Sequence, residues 1–108
     1  MVSMVSMIVV LDDWDLQSNN LKQLPRGLKK DFWFINGDNT ISPRTEQVKW
    51  GDGWLGRDLA KLAKAGVTGE VFVEVTDKIY WKYVLAGGYV ERYIWRNSFG
   101  YQLVEILE

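Results

Sequence analysis

Three aspartates follow an apolar stretch near the start of the chain, and their carboxylates are the first candidates for chemistry. The segment VVLDDWD places Asp12, Asp13 and Asp15 directly after a run that is typical of a buried strand. Carboxylates at the end of a strand are suitable oxygen ligands for Mg²⁺, and the bound ion would support hydrolysis. A Mg²⁺-dependent hydrolase or nuclease is therefore one hypothesis. The alternative interpretation is a polar strand exit in which one aspartate caps a helix.

A second candidate is the glycine-rich stretch WGDGW at residues 50–54, which precedes a predicted helix. Backbone N–H groups at a helix N-terminus attract anions, so the stretch has one property of a phosphate-binding loop. Gly53 and Gly56 are followed by Arg57, however, and not by the Lys-Ser or Lys-Thr pair of that motif. We interpret the stretch as a tight loop in which Asp52 is the N-cap of the helix.

The segment LKQLPRGLKK, residues 21–30, is locally basic. Such a run is usually solvated surface, and it is also a candidate contact for an acidic protein partner. Its cationic side chains are Lys22, Arg26, Lys29 and Lys30.

The residue types that the chain lacks exclude several mechanisms. Its 108 residues include no Cys and no His, so disulfides, thiol nucleophiles, Cys/His zinc sites and Ser-His-Asp triads are excluded. Thirteen Lys and Arg against fourteen Asp and Glu give a formal net charge of -1, which provides no general attraction to nucleic acid or anionic lipid. We therefore predict a protein that is not an enzyme and needs no cofactor, while the aspartate hypothesis stays open.

Residues 1–108 are predicted to form a single domain in which residues 1–6 are disordered. The opening MVSMVSMIVV is apolar, but it is too short to span a bilayer and lacks the basic flank of a signal peptide. We therefore predict a cytoplasmic protein without a membrane partner, and the absence of Cys agrees with a reducing compartment. The tandem MVSMVSM also allows Met4 or Met7 as the true first residue.

The N-terminal half is predicted to contain two strands and an irregular segment. Residues 7–11 and 32–35 are apolar and rich in β-branched or aromatic side chains, which predicts a strand in each. Residues 15–30 predict an irregular segment with at most a short helix up to Leu24, because Pro25 disfavours the helical conformation in the residue before it.

The remaining elements follow from turn residues and apolar spacing. Residues 36–51 are rich in turn-forming residues and predict a long loop. Leucines at intervals of three and four predict a helix over 53–65, with Gly66 as its left-handed C-terminal cap. Residues 69–107 predict an antiparallel meander of four strands. One main helix on an antiparallel sheet is an α+β fold.

Charge and polarity predict how the strands of the meander pair. A two-residue turn at 87–88 avoids placing Lys82 opposite Arg92, a like-charge pair that a three-residue turn would create. A three-residue loop at 76–78 places the valines of the first strand on the same face as Trp81.

For the last hairpin, a four-residue loop at 97–100 places Arg92 opposite Glu105 and Ile94 opposite Leu103. All three choices agree on one apolar inner face and one mixed outer face. The predicted inner face consists of Val71, Val73, Val75, Trp81, Leu85, Val90, Ile94, Leu103 and Leu107. The predicted outer face consists of Glu70, Phe72, Glu74, Tyr80, Lys82, Tyr89, Glu91, Tyr93, Trp95 and Gln102.

The stretch IYWKYVLAGGYVERYIW holds six aromatic residues, and four of them belong to the predicted outer face. One interpretation is a sheet surface stabilised by cross-strand pairs such as Tyr80 with Trp95, or half covered by residues 15–50. The other is a recognition surface, because Tyr and Trp are frequent in interface hot spots.

We predict a small non-enzymatic protein-binding module, such as an inhibitor, immunity or phage-type accessory protein. A binder of single-stranded nucleic acid and a homodimer are retained as alternatives. The predicted partner-binding residues are Tyr80, Lys82, Tyr89, Glu91, Tyr93 and Trp95.

Overall fold

The computed structural model describes residues 7–18, 21–45, 47–50, 53–75 and 79–108, so the disorder expected for residues 1–6 lies outside the described residues. The described part of the chain forms an α+β fold, as predicted. Its elements are β1 (Met7–Gln17), β2 (Trp33–Ile35), β3 (Thr40–Pro43), β4 (Gln47–Trp50), α1 (Trp54–Lys64), β5 (Thr68–Val75), β6 (Ile79–Ala86), β7 (Tyr89–Arg96) and β8 (Gly100–Leu107).

All the strands pair antiparallel in one sheet, with the order β2-β3-β1-β5-β6-β7-β8. β4 also pairs with β1, on the same side as β3: Leu16 lies opposite Ile41 of β3, and Val9 lies opposite Val48 of β4. β1 is therefore a central strand that joins the N-terminal hairpin to the C-terminal meander.

β1 is longer than the strand predicted at 7–11 and includes the three aspartates. Between two of its pairs with β5, Leu11 with Val73 and Asp13 with Phe72, one extra residue forms a bulge. The bulge shifts the alternation of inward and outward side chains by one position, so the sequence does not show a continuous strand pattern. The predicted polar strand exit with a helix cap is wrong, because the aspartates lie within the strand.

The long loop predicted at 36–51 is also wrong, because this range contains β3 and β4. The stretch NGDN is the turn between β2 and β3: the N–H of Asn36 donates to the carbonyl of Thr40 over 2.8 Å, and Asn39 has a φ of 67°. β2 confirms the strand predicted at 32–35. Strands of three or four residues are too short for their alternation to stand out from that of a loop.

α1 confirms the helix predicted at 53–65. The predicted cap is present, because Gly66 has a φ of 98° and its N–H donates to the carbonyl of Ala63 over 3.0 Å. Gly53, with a φ of 81°, is the N-cap residue, whereas the predicted N-cap Asp52 lies outside the described residues. The apolar stripe of α1 is buried and consists of Leu55, Leu59, Ala60, Leu62 and Ala63.

Residues 21–32 form no helix, which agrees with the irregular segment predicted over 15–30, except that the first three residues of that range belong to β1. A buried carboxylate on α1 anchors this segment. Asp58 is only 3% exposed and accepts hydrogen bonds from Nε1 of Trp33 over 2.8 Å and from the backbone N–H of Lys29 over 2.9 Å. Two donors compensate for the loss of water around the charge, and they hold the irregular segment against the helix.

The first two registers of the meander are as predicted. The 87–88 turn pairs Lys82 with Tyr93, and its two glycines have φ values of 65° and 88°. In the preceding hairpin, Val75 pairs with Ile79, which agrees with a three-residue connection whose residues lie outside the described part of the chain.

The last register is only partly as predicted. Arg92 does lie opposite Glu105, and the two side chains form an ion pair of 3.1 Å. Ile94, however, lies opposite Gln102 and not opposite Leu103. The prediction is therefore correct at one end of the hairpin and wrong at the other.

A shorter loop and a bulge explain this difference. Arg96 pairs with Gly100, so the loop has three residues, and Gly100 has the positive φ of 71° that such a loop requires. Val104 is the extra residue where the register shifts. As a result Leu103 lies on the outer face, where it is 47% exposed, and Gln102 lies on the inner face.

Candidate functional site

The two faces of the sheet differ in what covers them. α1 packs on the inner face, and Leu21, Leu24 and Leu28 pack against the same core. α1 and the segment of residues 21–32 therefore lie on the same side of the sheet, and neither covers its other face. We define this outer face by the side chains of Asp12, Asp13, Asp15, Glu70, Phe72, Glu74, Tyr80, Lys82, Tyr89, Glu91, Tyr93, Trp95, Tyr101, Leu103 and Ile106.

Lys82 lies at the centre of the outer face, between two aromatic rings. Its Nζ is 5.0 Å from the ring centre of Tyr93 and 4.8 Å from that of Tyr101, which are cation–π distances. Tyr101 also contacts Trp95 edge to face, with ring centres 5.2 Å apart, and Phe72 at 6.2 Å. We call these five residues the aromatic cluster. Their mutual contacts restrict their rotamers before any partner binds.

Tyr101 was missed by sequence reasoning, which placed Gln102 on the outer face instead. The error follows from the loop length of the last hairpin. Gly100 was the available signal, because a glycine at the end of a three-residue loop marks the left-handed position and sets Trp95 opposite Tyr101. The predicted ring pair of Tyr80 with Trp95 is replaced by the contact of Trp95 with Tyr101.

Three phenol groups of the outer face, those of Tyr80, Tyr93 and Tyr101, stay protonated at neutral pH. The carboxylate of Glu74 is the main cause that raises the pKa of Tyr80. Burial, followed by the charge of Glu91, raises the pKa of Tyr93, whose hydroxyl donates to Oε1 of Glu91 over 3.2 Å. Burial also raises the pKa of Tyr101. These phenols are therefore neutral groups, and carboxylates carry the negative charge of the face.

The remaining predicted partner-binding residues occupy two distinct positions. Trp95 is 44% exposed within the aromatic cluster, so its ring is accessible from solvent. Tyr89 is exposed beside the 87–88 turn, and its ring lies close to Gly87 instead of to the cluster. The structure thus brings Lys82, Tyr93 and Trp95 together and leaves Tyr89 at the end of the strand.

The three aspartates add charge to the outer face. Asp13 lies opposite Phe72 and Asp15 opposite Glu70, and the charge of Asp12 acts on Tyr80 and Tyr101. Within the described ranges, no group of three or more acidic, His or Cys residues is placed to hold a metal ion. The structure does not assemble these carboxylates into a metal site.

The outer face is acidic around its aromatic centre. Among its described side chains, the only cation is Lys82. Six carboxylates surround it, belonging to Asp12, Asp13, Asp15, Glu70, Glu74 and Glu91. The face therefore has a local charge that the near-zero net charge of the chain does not show.

Along β8, the outer face ends in an apolar border. Leu103 lies opposite Tyr93 of the aromatic cluster, and Ile106 is 52% exposed further along the strand. Leu103 therefore extends the apolar surface of the cluster onto β8, and Ile106 adds an exposed apolar side chain opposite Glu91. Exposed surfaces of this kind are typical of protein interaction sites.

The basic segment lies away from this surface, on the side of α1. The Nζ of Lys29 is 5.5 Å from the ring centre of Trp54, and its backbone is bonded to Asp58. Lys22, Arg26 and Lys30 are exposed. The two predicted contact regions therefore lie on opposite sides of the sheet.

No helix in the described ranges is long and apolar enough to cross a membrane. Comparisons of the chain with protein-family models, with curated proteins and with solved structures found no match.

Proposed function

We propose that this chain is a small non-enzymatic protein-binding module, of the inhibitor, immunity or phage-accessory kind, that docks on another protein through its outer face. The observation that supports this proposal most directly is the aromatic cluster on a sheet surface that the described part of the chain leaves uncovered. Tyr and Trp provide a large contact area at a small entropic cost, and they are enriched at interface hot spots. The absence of Cys agrees with action in the cytoplasm.

The negative charge of the outer face indicates that the partner surface is positively charged. A protein surface with exposed Arg or Lys side chains complements the six carboxylates and increases the association rate. An arginine suits this face especially well, because a guanidinium both stacks on an exposed indole such as that of Trp95 and pairs with carboxylates. The same carboxylates repel the phosphates of nucleic acid, which makes a protein the favoured partner.

The proposal is tested by affinity capture from the native host, followed by measurement of the affinity for the captured protein. The double variant Trp95→Ala, Tyr101→Ala removes two rings of the aromatic cluster, and we expect the affinity to fall by about tenfold or more. Phe99→Ala is the matched control, because Phe99 is 74% exposed in the β7–β8 loop outside the outer face, and it should leave the affinity unchanged.

Circular dichroism must show that the double variant is folded. Unchanged affinity in a folded double variant would contradict the proposal. A second measurement tests whether the partner surface is positively charged. The double variant Asp13→Asn, Asp15→Asn should associate more slowly than the unaltered protein at low salt, and this difference in rate should shrink as salt is added.

A further inference from the structure

The two sides of the sheet carry opposite charges, although the formal net charge of the chain is only -1. The outer face has six carboxylates and, among its described side chains, the single cation of Lys82. The opposite side carries six exposed cations, which belong to α1 and to the segment of residues 21–32. We call this surface the basic side and define it by Lys22, Arg26, Lys29, Lys30, Lys61 and Lys64.

The charge of the basic side is uncompensated. The Nζ of Lys61 donates to the carbonyl of Gly27 over 2.8 Å, and the Nζ of Lys29 lies 5.5 Å from the ring centre of Trp54. Both of these partners are neutral, and none of the six cations forms an ion pair with a described carboxylate. The helix dipole explains the two lysines in the last turn of α1, but it does not explain the cations of the segment.

The basic side also has a recess that combines apolar and cationic side chains. Its volume is about 250 Å³, and its apolar lining includes Leu24, Pro25 and Leu28. Its charged lining consists of three cations and one carboxylate, Lys29, Lys30, Arg44 and Asp31. An indole suits such a recess, because the ring packs on apolar side chains while a cation stacks on its face.

The outer face offers the complementary groups. The indole of Trp95 is 44% exposed there, and no ion pair with a described cation neutralises the carboxylates around it. The two complementary surfaces lie on opposite sides of the sheet, so they cannot meet within one chain. Between two copies they can meet, in a contact that leaves one surface of each kind free for a further copy.

We propose that copies of this chain associate head to tail, with the outer face of one copy on the basic side of the next and Trp95 in the recess. A two-fold dimer through the outer face is disfavoured, because it places carboxylates opposite carboxylates. The inference goes beyond the proposed function, since it specifies what occupies the outer face when no other protein is bound. A separate partner then competes with a second copy for the same surface.

Sedimentation velocity of the purified full chain tests this association. We expect the weight-average sedimentation coefficient to rise with protein concentration at about 0.01 M salt, where the Debye length is roughly 30 Å. At about 1 M salt, where the Debye length is roughly 3 Å, the association should be at least about tenfold weaker. Species larger than a dimer are expected at low salt, because a head-to-tail contact does not close after two copies.

Two variants remove one surface each. Trp95→Ala removes the indole of the outer face, and Lys30→Glu reverses a charge in the recess. Each variant alone should associate at least about tenfold more weakly than the unaltered protein. An equimolar mixture of the two should form a complex of two chains, because the intact outer face of Lys30→Glu docks on the intact basic side of Trp95→Ala. This complex should not grow further, since both of its free surfaces are altered.

Each variant has a matched control. Phe99→Ala also removes an exposed ring, at a position outside both surfaces where the side chain is 74% exposed. Arg96→Glu changes the net charge as much as Lys30→Glu does, at an exposed position outside the basic side. Neither control should weaken the association.

The proposal is overturned if the unaltered chain stays monomeric at low salt up to about 1 mM protein. Association that strengthens as salt is added would also overturn it, and so would a mixture of folded Trp95→Ala and Lys30→Glu that contains no complex. The salt series needs only the unaltered protein, so it is decisive even if a variant does not fold. A monomeric chain would leave the proposed function intact, because a separate partner needs only the outer face.

Discussion

Removing the hydroxyl of Tyr83 is expected to stabilise the free protein. In most proteins Tyr→Phe at a buried position loses a hydrogen bond and costs about 0.5 to 1.5 kcal/mol. The hydroxyl of Tyr83 is fully buried and has no partner among the described residues, so its hydration is lost on folding without compensation. The free energy of unfolding of Tyr83→Phe should therefore rise.

The size of the effect follows from the cost of an unsatisfied buried group, which is about 1 to 3 kcal/mol. We expect a gain at the lower end of this range, about 1 kcal/mol. For a domain of this size, about 1 kcal/mol shifts the melting temperature upward by roughly 4 °C. Urea denaturation with an unchanged m-value and differential scanning calorimetry measure the two quantities.

Tyr89→Phe provides the control, since its hydroxyl belongs to an exposed residue and its removal should leave the unfolding free energy within about 0.5 kcal/mol. A loss of about 1 kcal/mol in Tyr83→Phe would refute the reasoning, because it would show that the hydroxyl is hydrogen-bonded in the free protein.

Three further predictions concern stability. Burial raises the pKa of Tyr83 in the folded protein. The free energy of unfolding should therefore fall as pH rises above the ordinary phenol pKa of about 10, because the unfolded chain loses this proton more easily. Tyr83→Phe lacks the phenol and should lose less stability than the unaltered protein in alkaline denaturation curves. Asp58→Ala should cost about 3 kcal/mol in urea denaturation, because it leaves the buried indole N–H of Trp33 and the part-buried backbone N–H of Lys29 without their acceptor, and Asp58→Asn should cost less. Gly69→Ala should cost at least about 3 kcal/mol by calorimetry, because Gly69 has a φ of 136° and a Cβ would collide with the carbonyl oxygen of Asp15. The control Gly88→Ala places its Cβ in open space and should cost only about 1 kcal/mol.

The parts of the fold that could be predicted depend on local signals. The 87–88 turn was predictable because its two glycines and the repulsion between Lys82 and Arg92 select the same register. Gly66 similarly marks the end of α1. Since these residues are close in the sequence, their combined pattern was sufficient.

The parts that could not be predicted depend on residues without a local signal. The bulge in β1 interrupts alternation, so the pattern after Leu11 resembled a polar exit. The bulge at Val104 likewise has no local signal, and it allows Glu105 to lie opposite Arg92 although the three-residue loop places Tyr101 opposite Trp95. Gly56 and Leu107 approach closely although they are far apart in the sequence, and no periodicity indicates that contact.

The bulge in β8 also determines where this chain can change in length. Val104 is the bulge residue of β8 and has no partner in the ladder with β7. Among the described strands, β8 pairs only with β7. Deletion of Val104 would leave Glu105 opposite Arg92 and Tyr101 on the outer face, whereas deletion of Gln102 would turn either Tyr101 or Leu103 to the inner face. Single-residue gaps among relatives of this chain are therefore expected at Val104 before any other position of β8.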